Sequence, residues 1–305
     1  MLTESLFDRF RLTVAEKRLG VYGVHVYQEG AGALEHRFRA DDRTQLWSVS
    51  KAYTSLAVGM CVDEGRLSLA DPVLGYFPGF EAVAAEGSEA ITIIDLLQMR
   101  SGKDYVLFEE EDLAVINASD WAELFFRGEI TSPPGGKFFY ANGCAYMLSR
   151  LVEKVSGLVL RDYLRPRLFD PLRVLNPWWN SDPAGHTLGA YGLQLTTSEL
   201  ARLGRLLLQE GVWEDQALVS ADYIRAMWAD TVPQHGHFPD PESNAGYGYQ
   251  VWRNTIAGYR ADGMYGQYSI VIPDKRAVIT TTAHNETNAC DIIRAAFADI
   301  ADRLG

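Results

Sequence analysis

A serine and a lysine three residues apart, Ser48 and Lys51, have the types and spacing for nucleophilic chemistry. A helix has about 3.6 residues per turn, so both side chains lie on one face and can come within hydrogen-bonding distance. A serine hydroxyl becomes a good nucleophile when an adjacent base takes its proton. A lysine is such a base only when burial or nearby positive charge lowers its pKa well below about 10.4. The alternative is a helix-capping serine beside a solvated lysine.

The residues that follow Lys51 favour the catalytic interpretation. A lysine in the first turn of a buried helix is desolvated and lies near the positive end of the helix dipole, and both effects lower its pKa. Gly65 is a plausible end for this helix. The sequence predicts that the helix is largely buried, because it is apolar at Ala52, Leu56, Ala57, Gly59, Met60 and Cys61.

A second group of polar side chains follows the glycine pair at 135–136, which permits a tight turn. Tyr140 and Asn142 open the next predicted helix from this loop. If the loop faces Ser48, Tyr140 can shuttle a proton, and a neighbouring cation such as Lys51 would let its phenol act as phenolate near neutral pH. Asn142 can then hydrogen-bond both Lys51 and a substrate amide or ester. Taken alone, the segment is an ordinary turn and helix start.

A third segment, Arg260–Gln267, enters a predicted strand and contains Gly263 and Gly266. Glycines at a strand edge let the backbone approach another group closely. A backbone N–H here, together with that of Ser48, can form an oxyanion hole, and losing one such donor typically costs about 10²–10³ in rate. A simple β-bulge is the alternative for this segment alone.

Strands at both ends of the chain and helices in the middle must position these groups. We predict an α+β fold in which an antiparallel sheet is built from both termini, flanked by helices, and interrupted by a mostly helical insertion. We expect one domain over 1–305, with an α/β subdomain of about 1–68 and 211–305 and a helical subdomain of about 69–210. The predicted strands are Val21–Tyr27, Leu34–Phe38, Tyr247–Trp252, Gln267–Ile272 and Ala277–Thr282. The predicted helices are residues 1–19, Ala52–Gly65, Ile93–Met99, Ala118–Phe126, Gly143–Val155, Ser198–Glu210 and Asn288–Leu304.

Composition narrows the partners and the compartment. The chain has 305 residues, 47% of them hydrophobic, and a formal net charge of -12, which argues against nucleic acid or an anionic membrane as partner. Its first ten residues lack the apolar core of a signal peptide, and no apolar stretch approaches the roughly 20 residues that span a bilayer. The three cysteines, an odd number in apolar contexts, favour free thiols in a reducing cytosol. We therefore expect a cytoplasmic protein; composition does not predict its oligomeric state.

Other catalytic designs are less well supported by the sequence. No Gly-x-Ser-x-Gly motif occurs, which disfavours an α/β-hydrolase. His284, at a predicted strand end, is a candidate catalytic histidine, but a lysine base makes it unnecessary. His235 and His237 suggest a metal site without a nearby third ligand, so we expect a solvated loop there, no metal and no cofactor.

These motifs together resemble the serine β-lactamase and penicillin-binding-protein superfamily. The closest branch contains class C β-lactamases, DD-peptidases, family VIII esterases and 6-aminohexanoate-dimer-hydrolase-like amidases. The resemblance covers nearly the whole chain, and its pieces occur in the family's order: Ser48–Lys51, Asp63–Pro72, Ile91–Gly102, Tyr140–Asn142, Tyr191–Thr196 and Tyr247–Tyr249.

The resemblance implies an acyl-enzyme cycle on a small ester, amide or peptide-like substrate. Ser48 would attack the carbonyl, with Lys51 and Tyr140 jointly as the proton-transfer groups, and water would release the acyl group. The oxyanion hole would use the N–H groups of Ser48 and Met264. It further implies substrate-binding roles for Asn142, Gly263, Met264 and Tyr191.

One departure from the family pattern bears on the substrate. The third motif of the family is Lys/His-Thr-Gly, whereas this chain has Ala261-Asp262-Gly263. Ala261 cannot bind a substrate carboxylate and Asp262 would repel it, although Arg260 could supply the charge. We therefore expect an esterase or amidase acting on small neutral substrates, with specificity in the loops 103–117 and 232–245. The alternatives are a β-lactamase or D-Ala-D-Ala carboxypeptidase or D-aminopeptidase, and a non-catalytic penicillin-binding-like protein.

Overall fold

A six-stranded antiparallel sheet, built from both ends of the chain, forms the centre of the computed structural model, which describes residues 1–104, 118–234 and 238–305. The strand order is β2-β1-β11-β10-β9-β8. This confirms the predicted fold class. The strands are β1 (Val21–Gln28), β2 (Gly32–Arg37), β3 (Thr44–Gln45), β4 (Trp178–Trp179), β5 (Leu193–Leu195), β6 (Val212–Trp213), β7 (Gln216–Ala217), β8 (Trp252–Arg253), β9 (Tyr259–Gly263), β10 (Gln267–Ile272) and β11 (Ala277–Ala283).

The sequence explains why β10 and β11 lie in the middle of this sheet. Both strands are buried along their whole length and are rich in β-branched side chains, as expected for strands covered on both faces. Strand β2, at one edge, is more polar and more exposed. A second, small sheet has the order β3-β5-β4, and β6 pairs with β7 as a hairpin.

Helices cover both faces of the large sheet. One face packs against the N-terminal helix and the C-terminal helical segment, through residues such as Phe10, Ile270 and Ile293. The helices are α1 (Asp8–Lys17), α2 (Ser50–Asp63), α3 (Ile93–Leu97), α4 (Trp121–Arg127), α5 (Asn142–Ser156), α6 (Leu160–Leu164), α7 (Thr197–Leu208), α8 (Ala221–Ala229) and α9 (Cys290–Ala295). No helix within the described ranges has both the length and the apolarity to cross a bilayer.

Helix α7 packs directly on the other face of the sheet and separates it from the helical region. A capping box formed by Thr196 and Glu199 starts this helix. At Gly204, an added Cβ would lie 2.4 Å from both Ser269 Oγ and Val278 Cγ1, so the glycine permits the close approach. Beyond α7, the larger core contains α2 and α5, the two helices that carry the candidate site.

Near the site, one predicted strand is wrong and one strand was not predicted. The predicted strand Tyr247–Trp252 is instead a bend in which Tyr247 forms only isolated bridges, and β8 begins at Trp252. Residues 259–263, predicted only as a segment entering the next strand, are strand β9. His235 and His237, and most of the predicted specificity loop 103–117, lie outside the described residues.

Candidate active site

Ser48 lies in a short 3-10 turn, Trp47–Val49, that leads directly into α2. Trp47 has a φ of 51°, in the left-handed region that bulky residues seldom adopt. The turn is held to β5 from both sides, because the Leu46 N–H donates to the Leu193 carbonyl at 2.8 Å and the Leu193 N–H donates to Ser50 Oγ at 3.2 Å. These bonds fix a tight backbone at the start of α2 with Ser48 partly exposed.

The amine of Lys51 makes three contacts of equal length. Its Nζ lies 2.9 Å from Ser48 Oγ, 2.9 Å from Asn142 Oδ1 and 2.9 Å from the Ala190 carbonyl oxygen. The two carbonyl-type oxygens can only accept, whereas the serine hydroxyl can also donate. A neutral amine has two N–H donors and one lone pair, so it matches these partners when Ser48 donates to the lone pair. The arrangement is therefore suited to moving the Ser48 proton onto Lys51.

The surroundings of Lys51 favour its neutral form. Its side chain is 1% exposed, and no carboxylate in the described residues forms an ion pair with it. Burial lowers the pKa of Lys51 to about 7, while the neighbouring Cys144 acts weakly in the opposite direction. A substantial fraction of the amine is thus available as a base near neutral pH.

Tyr140 completes a triangle with this pair. Its hydroxyl is hydrogen-bonded to Ser48, and Lys51 Nζ lies 5.0 Å from the centre of its ring. Burial raises the pKa of Tyr140 above its usual value, the bond to Ser48 opposes that effect, and the nearby charge of Asp262 adds to it. The phenol is therefore protonated in this environment, which suits it to donate a proton.

An aromatic cluster fixes the ring of Tyr140. The centre of its ring lies 5.4 Å from that of Trp252, 5.8 Å from that of Tyr247 and 6.3 Å from that of Phe238. Such tilted and edge-to-face pairs add to area burial and restrict ring orientation. Asn142 follows as the first residue of α5, two residues after the tyrosine, so one backbone segment presents both side chains.

The end of β9 reaches the turn that carries Ser48. A Cβ added to Gly263 would lie 2.2 Å from the Leu46 carbonyl oxygen and 3.2 Å from Val49 Cγ2, so only glycine permits this contact. Met264 begins the next 3-10 turn, with its side chain 56% exposed, and its carbonyl accepts from Gln267 Nε2 at 3.2 Å. The backbone of Met264 is therefore adjacent to the Ser48 turn.

Tyr191 is connected to the site through its backbone. The carbonyl of its neighbour Ala190 accepts the bond from Lys51, and its own carbonyl accepts from Trp179 Nε1 at 2.9 Å. The Tyr191 side chain is largely buried and lines a separate open cavity of about 810 Å³ together with Trp121 and Trp178. The Ala190 carbonyl was missed by sequence reasoning, because a backbone acceptor leaves no signal in residue type.

A row of aromatic rings borders the Ser48 turn, and sequence reasoning missed it as well. The rings of Trp47 and Tyr265 meet edge to face at 5.1 Å, and Tyr265 stacks on His284 at 4.6 Å. His284 is half exposed, and its Nε2 lies 3.1 Å from Glu286 Oε1. The His284 side chain thus contacts Tyr265 and Glu286. Within the described ranges, no three His, Cys, Asp or Glu side chains are arranged to hold a metal ion.

Comparisons with known proteins place these features in a family. A family model described as Beta-lactamase matches residues 11–302. The 6-aminohexanoate-dimer hydrolase of Paenarthrobacter ureafaciens is 27% identical over an alignment of 263 residues that covers 79% of this chain and 66% of that protein. A β-lactamase of Escherichia coli strain K12 is 29% identical over 148 residues, 48% of this chain and 38% of its own length.

The chain thus spans two thirds or less of the length of these two curated relatives. A solved penicillin-binding-protein homologue from Caulobacter crescentus has a TM-score of 0.75 at 17% identity and covers 98% of this chain and 99% of its own. This last likeness is one of fold.

Proposed function

The chain belongs to the Beta-lactamase family, and from this membership we propose that it is a serine hydrolase that works through an acyl-enzyme on Ser48. The observation that carries the proposal is the buried amine of Lys51, 2.9 Å from the Ser48 hydroxyl and bonded otherwise to two oxygens that can only accept. A buried lysine without an ion-pair partner is costly for stability, and a role as base accounts for that cost.

In the acylation step, the lone pair of Lys51 takes the Ser48 proton while Oγ attacks the substrate carbonyl carbon. Negative charge then develops on the carbonyl oxygen. The N–H groups of Ser48 and Met264 are the proposed donors to this oxyanion, and the contact of Gly263 with the Ser48 turn supports that pairing.

Collapse of the tetrahedral intermediate requires a proton for the leaving group. Tyr140 is the proposed donor, because its phenol is hydrogen-bonded to Ser48 and its pKa is raised by burial. The proton that Lys51 took from Ser48 then restores the phenol, so the acyl-enzyme forms with no net change in protonation. In deacylation, the neutral amine of Lys51 removes a proton from water as the water oxygen attacks the acyl carbon. The bond between that carbon and Ser48 Oγ then breaks, Lys51 returns the proton to Oγ, and the carboxylic acid leaves.

The proposed substrates are small esters or amides that carry no carboxylate near the end of β9. Ala261 is 1% exposed and offers no positive charge there. The relative from P. ureafaciens is named as a hydrolase of a 6-aminohexanoate dimer, which agrees with hydrolysis as the reaction. A β-lactamase or a D-Ala-D-Ala carboxypeptidase would have to bind a substrate carboxylate, so both are less well supported.

Hydrolysis of p-nitrophenyl butyrate by the wild type, Ser48→Ala and Ser68→Ala tests the proposal. Ser68 is an exposed serine in the loop after α2 and serves as the matched control. We expect turnover by the wild type and Ser68→Ala and its loss in Ser48→Ala. Equal rates in all three proteins would contradict the proposal, and rapid Ser48-dependent turnover of nitrocefin would replace the esterase assignment with a β-lactamase.

A further inference from the structure

The charges on the segments that build the site can be counted. These segments are 46–51, 140–142, 190–191 and 259–267, and they contain two cationic residues, Lys51 and Arg260, and one acidic residue, Asp262. Lys51 must be neutral to act as the base. Within these segments, the charge that a substrate meets therefore depends on Arg260 and Asp262.

The guanidinium of Arg260 is buried and donates its hydrogen bonds to other groups of the protein. The side chain is 0% exposed, and its Nε donates to Asp262 Oδ2 at 2.8 Å. Its two terminal nitrogens donate to the Arg253 carbonyl, Asn254 Oδ1 and the Glu242 carbonyl at 2.9–3.1 Å. Arg260 therefore cannot supply the cation that a substrate carboxylate would need.

The same cluster has an excess of negative charge. A carboxylate oxygen of Glu242 lies 3.7 Å from Arg260 Nη1, so one guanidinium faces two carboxylates. Among the three, Asp262 is the most accessible, with 22% of its side chain exposed against 7% for Glu242 and 0% for Arg260. An approaching group thus meets the carboxylate of Asp262 first.

Asp262 lies on the strand segment that reaches the site. β8 pairs with β9 only at Tyr259 and Arg260, so residues 261–263 have no partner on the β8 side. The next residue, Gly263, touches the turn that carries Ser48. The charge of Asp262 also acts on Tyr140, whose hydroxyl bonds to Ser48. The position of Asp262 next to Gly263 in the chain and the effect of its charge on Tyr140 therefore both put it near the nucleophile.

Two aromatic rings also border the site. Trp47 immediately precedes Ser48, and Tyr265 follows three residues after Asp262; their rings meet at 5.1 Å, and both are partly exposed. Aromatic faces attract organic cations. A carboxylate flanked by aromatic rings is a common way to bind an alkylammonium group.

From these placements we infer that the preferred substrate carries a positive charge, a protonated or quaternary amine, which Asp262 and the rings of Trp47 and Tyr265 hold beside Ser48. The inference rests on the proposed function and narrows its substrates from esters or amides without a carboxylate to those that carry a positive charge. A neutral Lys51 does not repel such a substrate.

Two esters of equal shape and different charge test this inference. Butyrylcholine carries a trimethylammonium group, and 3,3-dimethylbutyl butyrate has an uncharged tert-butyl group in its place. We expect the wild type to prefer the choline ester by about tenfold in kcat/KM, the preference to decline as salt is raised, and Asp262→Asn to reduce the ratio to about one. Asp274→Asn, an exposed acid beyond the far end of β10, makes the same change in net charge and should leave the ratio unchanged.

The ratio of kcat/KM for the two esters distinguishes failure of the cation inference from failure of the hydrolase proposal. A wild-type ratio of one or less, with both esters cleaved in a Ser48-dependent manner, would overturn the cation inference and leave the hydrolase proposal intact. An equal fall in the ratio for Asp274→Asn would also overturn it, because net charge alone would then explain the preference. Absence of Ser48-dependent cleavage of either ester, and of p-nitrophenyl butyrate, would overturn both proposals. If Asp262→Asn does not fold, the wild-type ratio and its salt dependence decide the question.

Discussion

Lys51 Nζ and Ser48 Oγ lie 2.9 Å apart, one helical turn from each other, at the buried end of α2. The amine has no ion-pair partner in the described residues, and its two other contacts are oxygens that can only accept. The pair is thus arranged so that the one proton available to the lysine lone pair is that of Ser48. The proposed chemistry depends on this relationship.

Replacing Lys51 by arginine should abolish the base while keeping a long cationic side chain. A guanidinium stays charged at any pH compatible with folding and cannot accept a proton. We expect kcat for p-nitrophenyl butyrate to fall about 10²–10⁴-fold. Lys137→Arg, at an exposed lysine paired with Asp104, is the control and should be as active as the wild type. If Lys51→Arg keeps activity within a few-fold of the wild type, Lys51 is not the base.

Lys51 should also make stability depend on pH in a specific direction. In the unfolded chain the lysine holds its proton up to about pH 10.5, whereas in the folded protein its pKa is about 7. Between these values the unfolded state binds more protons, so the free energy of unfolding should rise by about 1.4 kcal/mol per pH unit from this residue. Below pH 7 the contribution of Lys51 should be constant.

Denaturant unfolding of the wild type and Lys51→Met across this range measures the effect. Methionine does not titrate, so the stability of the wild type relative to Lys51→Met should increase as pH rises from about 7 towards 10.5. Parallel pH profiles for the two proteins would mean that the lysine is charged in the folded state.

Tyr140→Phe should impair poor leaving groups more than good ones. The substitution removes the hydroxyl that bonds to Ser48 and keeps the ring within its aromatic cluster. An amide nitrogen needs a proton to leave, whereas p-nitrophenolate does not. We expect the loss in kcat/KM to be at least about tenfold larger for p-nitrobutyranilide than for p-nitrophenyl butyrate.

The matched control for this change is Tyr249→Phe, which removes a partly buried hydroxyl bonded to Asp230 away from the site. It should affect both substrates little and equally. The same proportional loss for the ester and the anilide in Tyr140→Phe would show that the phenol positions Ser48 and does not protonate the leaving group.

Gly263→Ala should disturb the site through backbone contact alone. The new Cβ would lie 2.2 Å from the Leu46 carbonyl, so β9 and the Ser48 turn must separate. We expect a loss of about 1–3 kcal/mol in the free energy of unfolding, typical of overpacking, and a lower kcat. Gly79→Ala, where a Cβ would meet nothing within 4 Å, should change neither quantity. A variant Gly263→Ala with wild-type stability and activity would contradict the proposed contact.

The sequence predicted those parts of the structure that depend on periodicity. The β-branched runs of β10 and β11 predicted buried strands, and the apolar residues of α2 predicted a buried helix with Lys51 at its start. The spacing of Ser48 and Lys51 anticipated their hydrogen bond, since the helix brings residues three apart together.

The parts that it missed depend on contacts between distant residues. Strand β9 contains Arg260, Asp262 and Gly263, all poor predictors of a strand, and is stabilised by pairing with β10 and by bonds of Arg260 to Glu242. The reverse error occurred at Tyr247–Trp252, where Gln250 adopts a φ of 64° and its side chain donates to the carbonyls of α3. Aromatic content suggested a strand, and tertiary bonds produced a bend.

The rate at which a fluorophosphonate labels the protein, measured between pH 5 and 9 with the modified residue identified by peptide mass spectrometry, tests the central claim most directly. We predict that the label is found on Ser48, and that its rate rises with pH and levels off above about pH 7, where the pKa of Lys51 lies. The rise should be absent in Lys51→Arg. Labelling of another residue, or a rate on Ser48 that does not change across this range, would contradict activation of Ser48 by a neutral Lys51.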